Sequence, residues 1–154
     1  MKQDRFLLGI LIFIVLLVVI ALGIFLIRGD DQSYGSEDSP EGVVWNYTLA
    51  VQNMDFERAY SYLADNIHKP DFETFRYSFL NNQLDTNNAS IQIGATRNSG
   101  GFEAFVEVAV IYSSNDLFSS PNPRGEIASL IKQSQDWKIT SMPHPYWGWD
   151  WYKP

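Results

Sequence analysis

The feature that most constrains this chain is an uninterrupted apolar run near its N-terminus. The 22 residues at 6–27 include no charge, no proline and no strongly polar side chain. As an α-helix, which rises 1.5 Å per residue, a run of this length reaches ~33 Å, and the hydrocarbon core of a bilayer is ~30 Å thick. The sequence therefore predicts a transmembrane helix at 6–27, preceded by a cytoplasmic N-terminus at 1–5.

The residues at the two ends of the apolar run indicate whether it is cleaved and how it is oriented in the membrane. A cleaved secretory signal has a shorter apolar core of ~7–15 residues and then a small-residue cleavage site. The small residues at 21–23 are followed by more apolar residues, which favours an uncleaved single-pass anchor. Lys2 and Arg5 precede the run and Arg28 follows it, so the positive-inside rule favours a periplasmic or extracellular domain.

Charge and cysteine content exclude several classes of protein. Residues 29–154 contain 17 acidic and 8 basic side chains, a net charge of −9. An acidic domain repels phosphate backbones, so nucleic acid is not an expected partner. The chain has no cysteine, which excludes disulfides, thiolate metal sites and a thiol nucleophile. The polar, acidic segment 28–38 is predicted to be a flexible tether.

After the tether, apolar residues recur at helical spacing in three segments. Ser39 is a predicted N-cap, with Pro40 at the first helical position, and Asp55 and the pair Pro70-Asp71 begin the second and third helices. The predicted apolar stripes are Val43, Val44, Tyr47, Ala50, Val51 and Met54; then Phe56, Ala59, Tyr60 and Leu63; then Phe72, Phe75, Phe79 and Leu80.

Beyond residue 88 the apolar period changes to two, which predicts strands. Ile91 and Ile93 lie on a first strand, residues 98–101 turn the chain, and residues 102–112 form a long strand. Because that strand is apolar on both faces, it is predicted to be central and covered. Residues 126–133 and 137–142 are predicted to form a hairpin. The fold class is α+β, with about three helices packed on an antiparallel sheet of about four strands.

Residues 39–142 resemble the nuclear transport factor 2-like (SnoaL-like) superfamily. The resemblance rests on Pro40-Glu41-x-x-Val44-x-x-Tyr47-x-x-Ala50, on Asp55-Phe56-x-x-Ala59-Tyr60-x-x-Leu63, and on Trp137-Lys138-Ile139. It implies a cone-shaped domain, in which a curved sheet wraps the first helix and leaves a pocket at the wide end. Members of the superfamily are enzymes, ligand binders or protein-binding modules, so the fold alone does not choose a function. The pocket-lining candidates are Trp45, Tyr47, Tyr60, Phe75, Phe79 and Trp137, although aromatic residues in such stripes are more often ordinary core.

No arrangement of residues predicts catalysis. His68 and His144 lie in predicted loops, and Glu103 and Glu107 lie on the more polar face of the long strand. The histidines lack the spacing of a zinc site, and the chain has no glycine-rich phosphate loop and no Gly-x-Ser-x-Gly elbow. The sequence therefore predicts a protein that is not an enzyme and has no cofactor or metal.

The segment 143–154 is rich in proline and tryptophan. Its candidate partner-binding residues are Tyr146, Trp147, Trp149, Trp151 and Tyr152. In an extended chain the three indoles lie on one side, and so much apolar surface must cover something. Four surfaces remain open: the domain's own sheet or cleft, another protein, the membrane interface, or a sugar.

These features predict a single-pass, membrane-anchored interaction module. We expect an accessory or scaffolding subunit of a larger bacterial membrane complex, which docks through its extracytoplasmic domain and Trp-rich tail. The alternative is a binder of a small hydrophobic ligand, or an acid–base enzyme, that uses the pocket of the cone.

Overall fold

The computed structural model describes residues 3–27, 33–113 and 123–153, with side chains at 7–23 in the first of these ranges. The chain divides into two units between Ser33 and Tyr34. The first unit contains helix α1, Gln3–Ile27, and its side chains from Leu7 to Leu22 are exposed. Within the described part of the chain, no helix is both long enough and apolar enough to cross a membrane.

Three helices open the second unit: α2 at Pro40–Gln52, α3 at Phe56–Ser61 and α4 at Phe72–Leu80. Each is capped by the side chain just before it, since Ser39, Asp55 and Asp71 accept hydrogen bonds from the backbone N–H of Gly42, Arg58 and Thr74, respectively. Such caps satisfy N–H groups that have no partner inside the helix. The three predicted helix starts are confirmed.

The predicted stripes are wrong at two of their ends. Met54 lies beyond the end of α2 with a positive φ of 58°, which turns its side chain out of the stripe and leaves it exposed. Leu80 is the last residue of α4 and is also exposed. Leu63 lies beyond α3 yet is buried, because the chain after α3 pairs with the edge of the sheet.

Four antiparallel strands follow in the order β1-β2-β3-β4, which confirms the α+β class. Their bounds are Ala89–Ser99, Glu103–Tyr112, Arg124–Gln133 and Asp136–Ser141. Gly100 and Gly101 connect β1 to β2 with positive φ angles, which glycine adopts without steric cost. At the other edge, the backbone around Leu63 bonds to Ile139 of β4.

The helices cover one face of the sheet. Ala104, Val106, Val108 and Val110 of β2 are buried on that face, where α2 contacts β1, β2 and β4. The prediction that β2 is covered on both faces is wrong. Although β2 is central in the pairing, α3 packs against α2 and α4 packs against α3, so no described helix covers the outer face and Phe105 there stays partly exposed.

Residues 34–38, which we call the strap, are bonded to the domain. The amide N–H of Gly35 donates to Asn46 Oδ1 at 2.7 Å, and Asn46 Nδ2 donates to the carbonyl of Gly35 at 3.0 Å. Further along, the Tyr62 hydroxyl donates to Glu37 Oε1 at 2.6 Å, and Arg58 pairs with the same carboxylate at 3.1 Å. Because residues 34–38 are bonded to the domain, the predicted flexible tether at 28–38 extends too far at its C-terminal end.

The charges of the strap reinforce this attachment. The hydrogen bond from Tyr62 and the nearby Arg58 together hold the pKa of Glu37 below its ordinary value, against the opposing effect of desolvation. The guanidinium of Arg58 also lies 3.5 Å from the ring centroid of Tyr34, a cation–π contact. The strap is thus fixed by both amide and charged contacts.

We expect Asn46→Ala to release the strap. Asn46 is fully buried and makes both bonds to Gly35, so its truncation costs about 1–3 kcal/mol of unfolding free energy. Thermal unfolding of the purified full chain measures the loss, and limited proteolysis detects newly accessible peptide bonds at 34–38. Ser36→Ala is the matched control, because among the described residues the Ser36 side chain bonds only to Asp38, within the strap itself. Equal melting temperatures and equal protection in the two variants would contradict the role of Asn46.

Candidate functional site

The Trp-rich tail lies on the domain's own core, one of the four surfaces left open by the sequence. Tyr146, Trp147 and Trp151 are buried at 0%, 8% and 6% exposure, and Tyr152 is partly buried. Trp149 is different, because 80% of it is exposed. The five predicted partner-binding residues therefore separate into four that contribute to the domain's packing and one that faces solvent.

The predicted extended form of the tail is wrong, because the tail consists of turns. The backbone N–H of Tyr146 donates to the carbonyl of Pro143, and that of Trp151 donates to the carbonyl of Gly148. These turns bring the rings of Trp147 and Trp151 together at 5.2 Å in a T-shaped contact. Trp149, between them in sequence, is left on the solvent side.

Glycine is required at one of these turns by close packing. A Cβ atom added to Gly148 would collide with the indole of Trp151. The absence of a side chain at this position therefore allows the backbone before Trp149 to lie directly on a buried ring.

Hydrogen bonds hold the start of the tail. The hydroxyl of Tyr47 on α2 donates to the backbone carbonyl of Tyr146 at 2.6 Å, and the hydroxyl of Tyr146 donates to the carbonyl of Ala89 at 2.8 Å. Burial raises the pKa of both tyrosines, so both remain neutral donors over the physiological pH range. The tail is thereby bonded to α2 and to β1.

The end of the tail is held separately. The backbone N–H of Tyr152 donates to the carbonyl of His68 at 3.1 Å, and its hydroxyl donates to the carbonyl of Ala64. Burial also raises the pKa of the Tyr152 phenol. Because both ends of the turn are fixed, Trp149 lies on a rigid support.

The predicted pocket is occupied by the tail and by its own lining residues. Trp151 packs against Phe75 at 5.2 Å and against Phe79 at 6.1 Å, measured between ring centroids. Trp147 packs against Tyr47 at 6.4 Å. Three of the six pocket-lining candidates thus form a packed aromatic cluster with the two buried indoles.

Of the other three pocket candidates, Tyr60 lies at the edge of this cluster and two lie outside it. Tyr60 contacts Phe75 edge-on, and its hydroxyl donates to the carbonyl of Pro70. Trp137 is buried on the helix-facing side of β4, and Trp45 on α2 is partly buried. The structure does not bring the six side chains together around one open cavity.

Two clefts flank the exposed indole of Trp149. One, of about 430 Å³, is lined by Thr74, Ser78 and Gln83 together with Asp150. The other, of about 410 Å³, is lined by Met142, Trp147, Tyr152 and Lys153, with Thr140 and Ser141. Both are bordered by His144, Gly148, Trp149 and Trp151. We call this region, the Trp149 indole with its two clefts, the Trp149 surface.

The remaining sequence candidates do not form a reactive site. Glu107 pairs with Arg97 at 3.1 Å on the outer face of the sheet, and Glu103 is exposed on the same face. His68 is exposed and His144 lies between the clefts. Over 3–27, 33–113 and 123–153, no group of His, Asp and Glu side chains is arranged to hold a metal ion.

Sequence reasoning missed how the Trp149 surface is built. Thr74 and Ser78 come from α4, and Gln83 comes from the loop after it. These residues are some 70 positions away from Trp149 along the chain, and none of them belongs to a motif. The only local signal was the density of aromatic residues after Pro143.

Comparisons with known proteins give no family. The chain matches no protein-family profile and no curated protein. A SEC-C motif containing protein from Rhodopseudomonas palustris is similar in structure, with a TM-score of 0.49 and 13% identity over 70% of this chain and 79% of that one. An uncharacterized cystatin fold protein from Novosphingobium aromaticivorans has a TM-score of 0.44 and 12% identity over 70% of this chain and 100% of that one. Likenesses this weak carry no argument, and the nuclear transport factor 2-like resemblance stays a prediction.

We expect the tryptophans of the tail to differ sharply in their contribution to stability. Trp151→Ala empties a buried site beside Phe75 and should cost about 3–5 kcal/mol of unfolding free energy. Trp149→Ala, at an exposed position, should change it by less than about 0.5 kcal/mol. Thermal unfolding followed by near-ultraviolet circular dichroism in detergent measures both. Similar melting temperatures in the two variants would contradict this division of the tail.

Proposed function

We propose that this protein is a non-catalytic, membrane-anchored interaction module, an accessory or scaffolding subunit of a larger bacterial membrane complex. Its docking surface is the Trp149 surface. The observation that carries the proposal is an indole that is 80% exposed within a segment whose neighbouring rings are buried.

Physical reasons favour a protein partner for this indole. Tryptophan is among the residues most enriched at the energetic centres of protein interfaces. A rigid support reduces the entropy lost on binding, and here the turn is bonded to Tyr47 before Trp149 and to His68 after it. The two clefts give a partner places for its own side chains on each side of the ring.

The membrane anchor in this proposal is the apolar run at 6–27. Its support is the sequence, which has 22 consecutive residues without charge or proline. The described part of α1 does not by itself meet the length and apolarity of a spanning helix, so membrane extraction decides whether the run is an anchor. Basic residues before the run favour a domain on the extracytoplasmic side.

Within the described residues, no observation supports the alternative of a small-ligand binder that uses the pocket of the cone. A binder needs an open, mostly apolar cavity with a few polar groups. The interior expected to supply such a cavity is filled, because the ring of Phe75 lies against both Tyr47 and Trp151. The proposal therefore assigns these side chains to stability.

Anchoring is tested by extraction. We expect the full chain to remain in the membrane pellet after washing at alkaline pH, and a chain that begins at residue 33 to be released, because only the former keeps the apolar run. Protease added outside spheroplasts should digest the domain. Release of the full chain by the alkaline wash would contradict the anchor, and protection of the domain from external protease would contradict the orientation.

Docking is tested by the mass of the native assembly. In mild detergent, the wild-type chain should migrate in a complex whose protein mass, corrected for bound detergent, exceeds the 17.6 kDa of one chain, and Trp149→Ala should release it. The truncation should weaken binding by about 2 kcal/mol or more, a factor of about 30. Phe102→Ala is the control, because Phe102 is also exposed but lies in the β1–β2 turn. A wild-type chain found only as a monomer, or a complex that survives Trp149→Ala, would overturn the proposal.

A further inference from the structure

We infer that the partner segment bound at the Trp149 surface is proline-rich, extended as a polyproline II helix, and carries a basic residue. This inference rests on the proposed function and specifies the partner's chemistry. It follows from the shape, the wall composition and the charges of the two clefts.

The shape of the surface suits a polyproline II ligand. Such a helix has three residues per turn, and it is recognised by aromatic-lined grooves. At the Trp149 surface, one indole stands between two clefts of similar size, about 430 and 410 Å³. Successive proline-containing turns of one segment can enter the two clefts on either side of the ring.

Other modes of peptide recognition fit less well. Addition of a β-strand needs an unpaired sheet edge, but Trp149 lies in a turn beyond β4. An amphipathic helix needs a continuous groove for anchors at i, i+3, i+4 and i+7. The Trp149 surface instead consists of two separate clefts that share Trp149 as a border.

The residues that line the clefts suit both the proline rings and the backbone carbonyl groups of a proline-rich segment. Met142, Trp147 and Tyr152 line one cleft and offer apolar and aromatic contact to proline rings. Polyproline II has no internal hydrogen bonds, so its carbonyl groups need donors. The Gln83 amide in the other cleft and the indole N–H of Trp149 are donors of this kind.

The charges of the two clefts determine in which cleft the basic residue of the partner segment lies. Asp150 lines only the cleft that contains Gln83, and Lys153 lines only the other. The Asp150 carboxylate forms no ion pair within the described residues. The Lys153 Nζ lies 5.2 Å from the Trp149 ring centroid, so the cleft that Lys153 lines is already cationic. A basic residue of the partner therefore belongs in the Asp150 cleft.

The test is binding of synthetic peptides to the full chain in detergent micelles, measured by fluorescence anisotropy of a labelled peptide. The probe is a proline-rich peptide with a single arginine, made with the arginine at either end. The comparison peptides replace the prolines with alanine or the arginine with glutamate. We expect one of the two arginine-containing probes to bind more tightly than the other. Replacing its prolines with alanine, or its arginine with glutamate, should weaken its binding to the protein.

Variants of the protein locate the binding. Trp149→Ala should weaken the probe about tenfold or more, whereas Phe102→Ala should not change it. Asp150→Asn should remove the advantage of arginine over glutamate, an effect of about two- to fivefold at low salt that diminishes as salt is added. An unchanged far-ultraviolet circular dichroism spectrum and melting temperature in each variant establish that the fold is intact.

Three outcomes would overturn the inference: no binding of the probe, equal binding of the alanine-substituted peptide, or equal binding by Trp149→Ala. Failure here is distinguishable from failure of the proposed function. If Trp149→Ala releases the native complex but no proline-rich peptide binds, the module docks through Trp149 on a partner of another chemistry. If the complex also survives Trp149→Ala, both proposals are wrong.

Discussion

The domain depends on the contact between its C-terminal tail and the helices at its start. Trp151 lies against Phe75 of α4, and Trp147 lies against Tyr47 of α2, so the tail joins α4 to the helix that packs on the sheet. The hydroxyl of Tyr47 meets a backbone carbonyl that would otherwise be buried without a partner. A chain without cysteine must obtain its stability from such packing.

Under the proposed function, stability and recognition are built from one short segment. The rings on either side of Trp149 are buried, and their burial fixes the position of the exposed ring between them. A free, mobile tail with three indoles would lose much conformational entropy on docking and would be prone to aggregate. In this fold most of that entropy is already lost when the tail folds onto the domain.

Local features of the fold were predictable from the sequence, and distant contacts were not. The caps at Ser39, Asp55 and Asp71 lie within three residues of the N–H groups they satisfy, and alternation in β2 reports its buried face directly. The prediction that β2 is covered on its outer face is wrong, because apolar residues on a strand do not reveal whether a helix lies over them. The buried position of Asn46 depends on the strap, and the clefts beside Trp149 depend on α4, so neither leaves a periodic signal.

The bond between Tyr47 and Tyr146 also has a kinetic consequence, because it joins residues 99 apart in the chain. Closing so long a loop reduces the conformational entropy of the chain, and this cost is offset only when the contacts across the loop have formed. We therefore expect the helices and hairpins to form first and the tail to dock last. Until it does, the aromatic side of α4 faces water, and this interval is when the newly made domain is most exposed to misassociation with its neighbours.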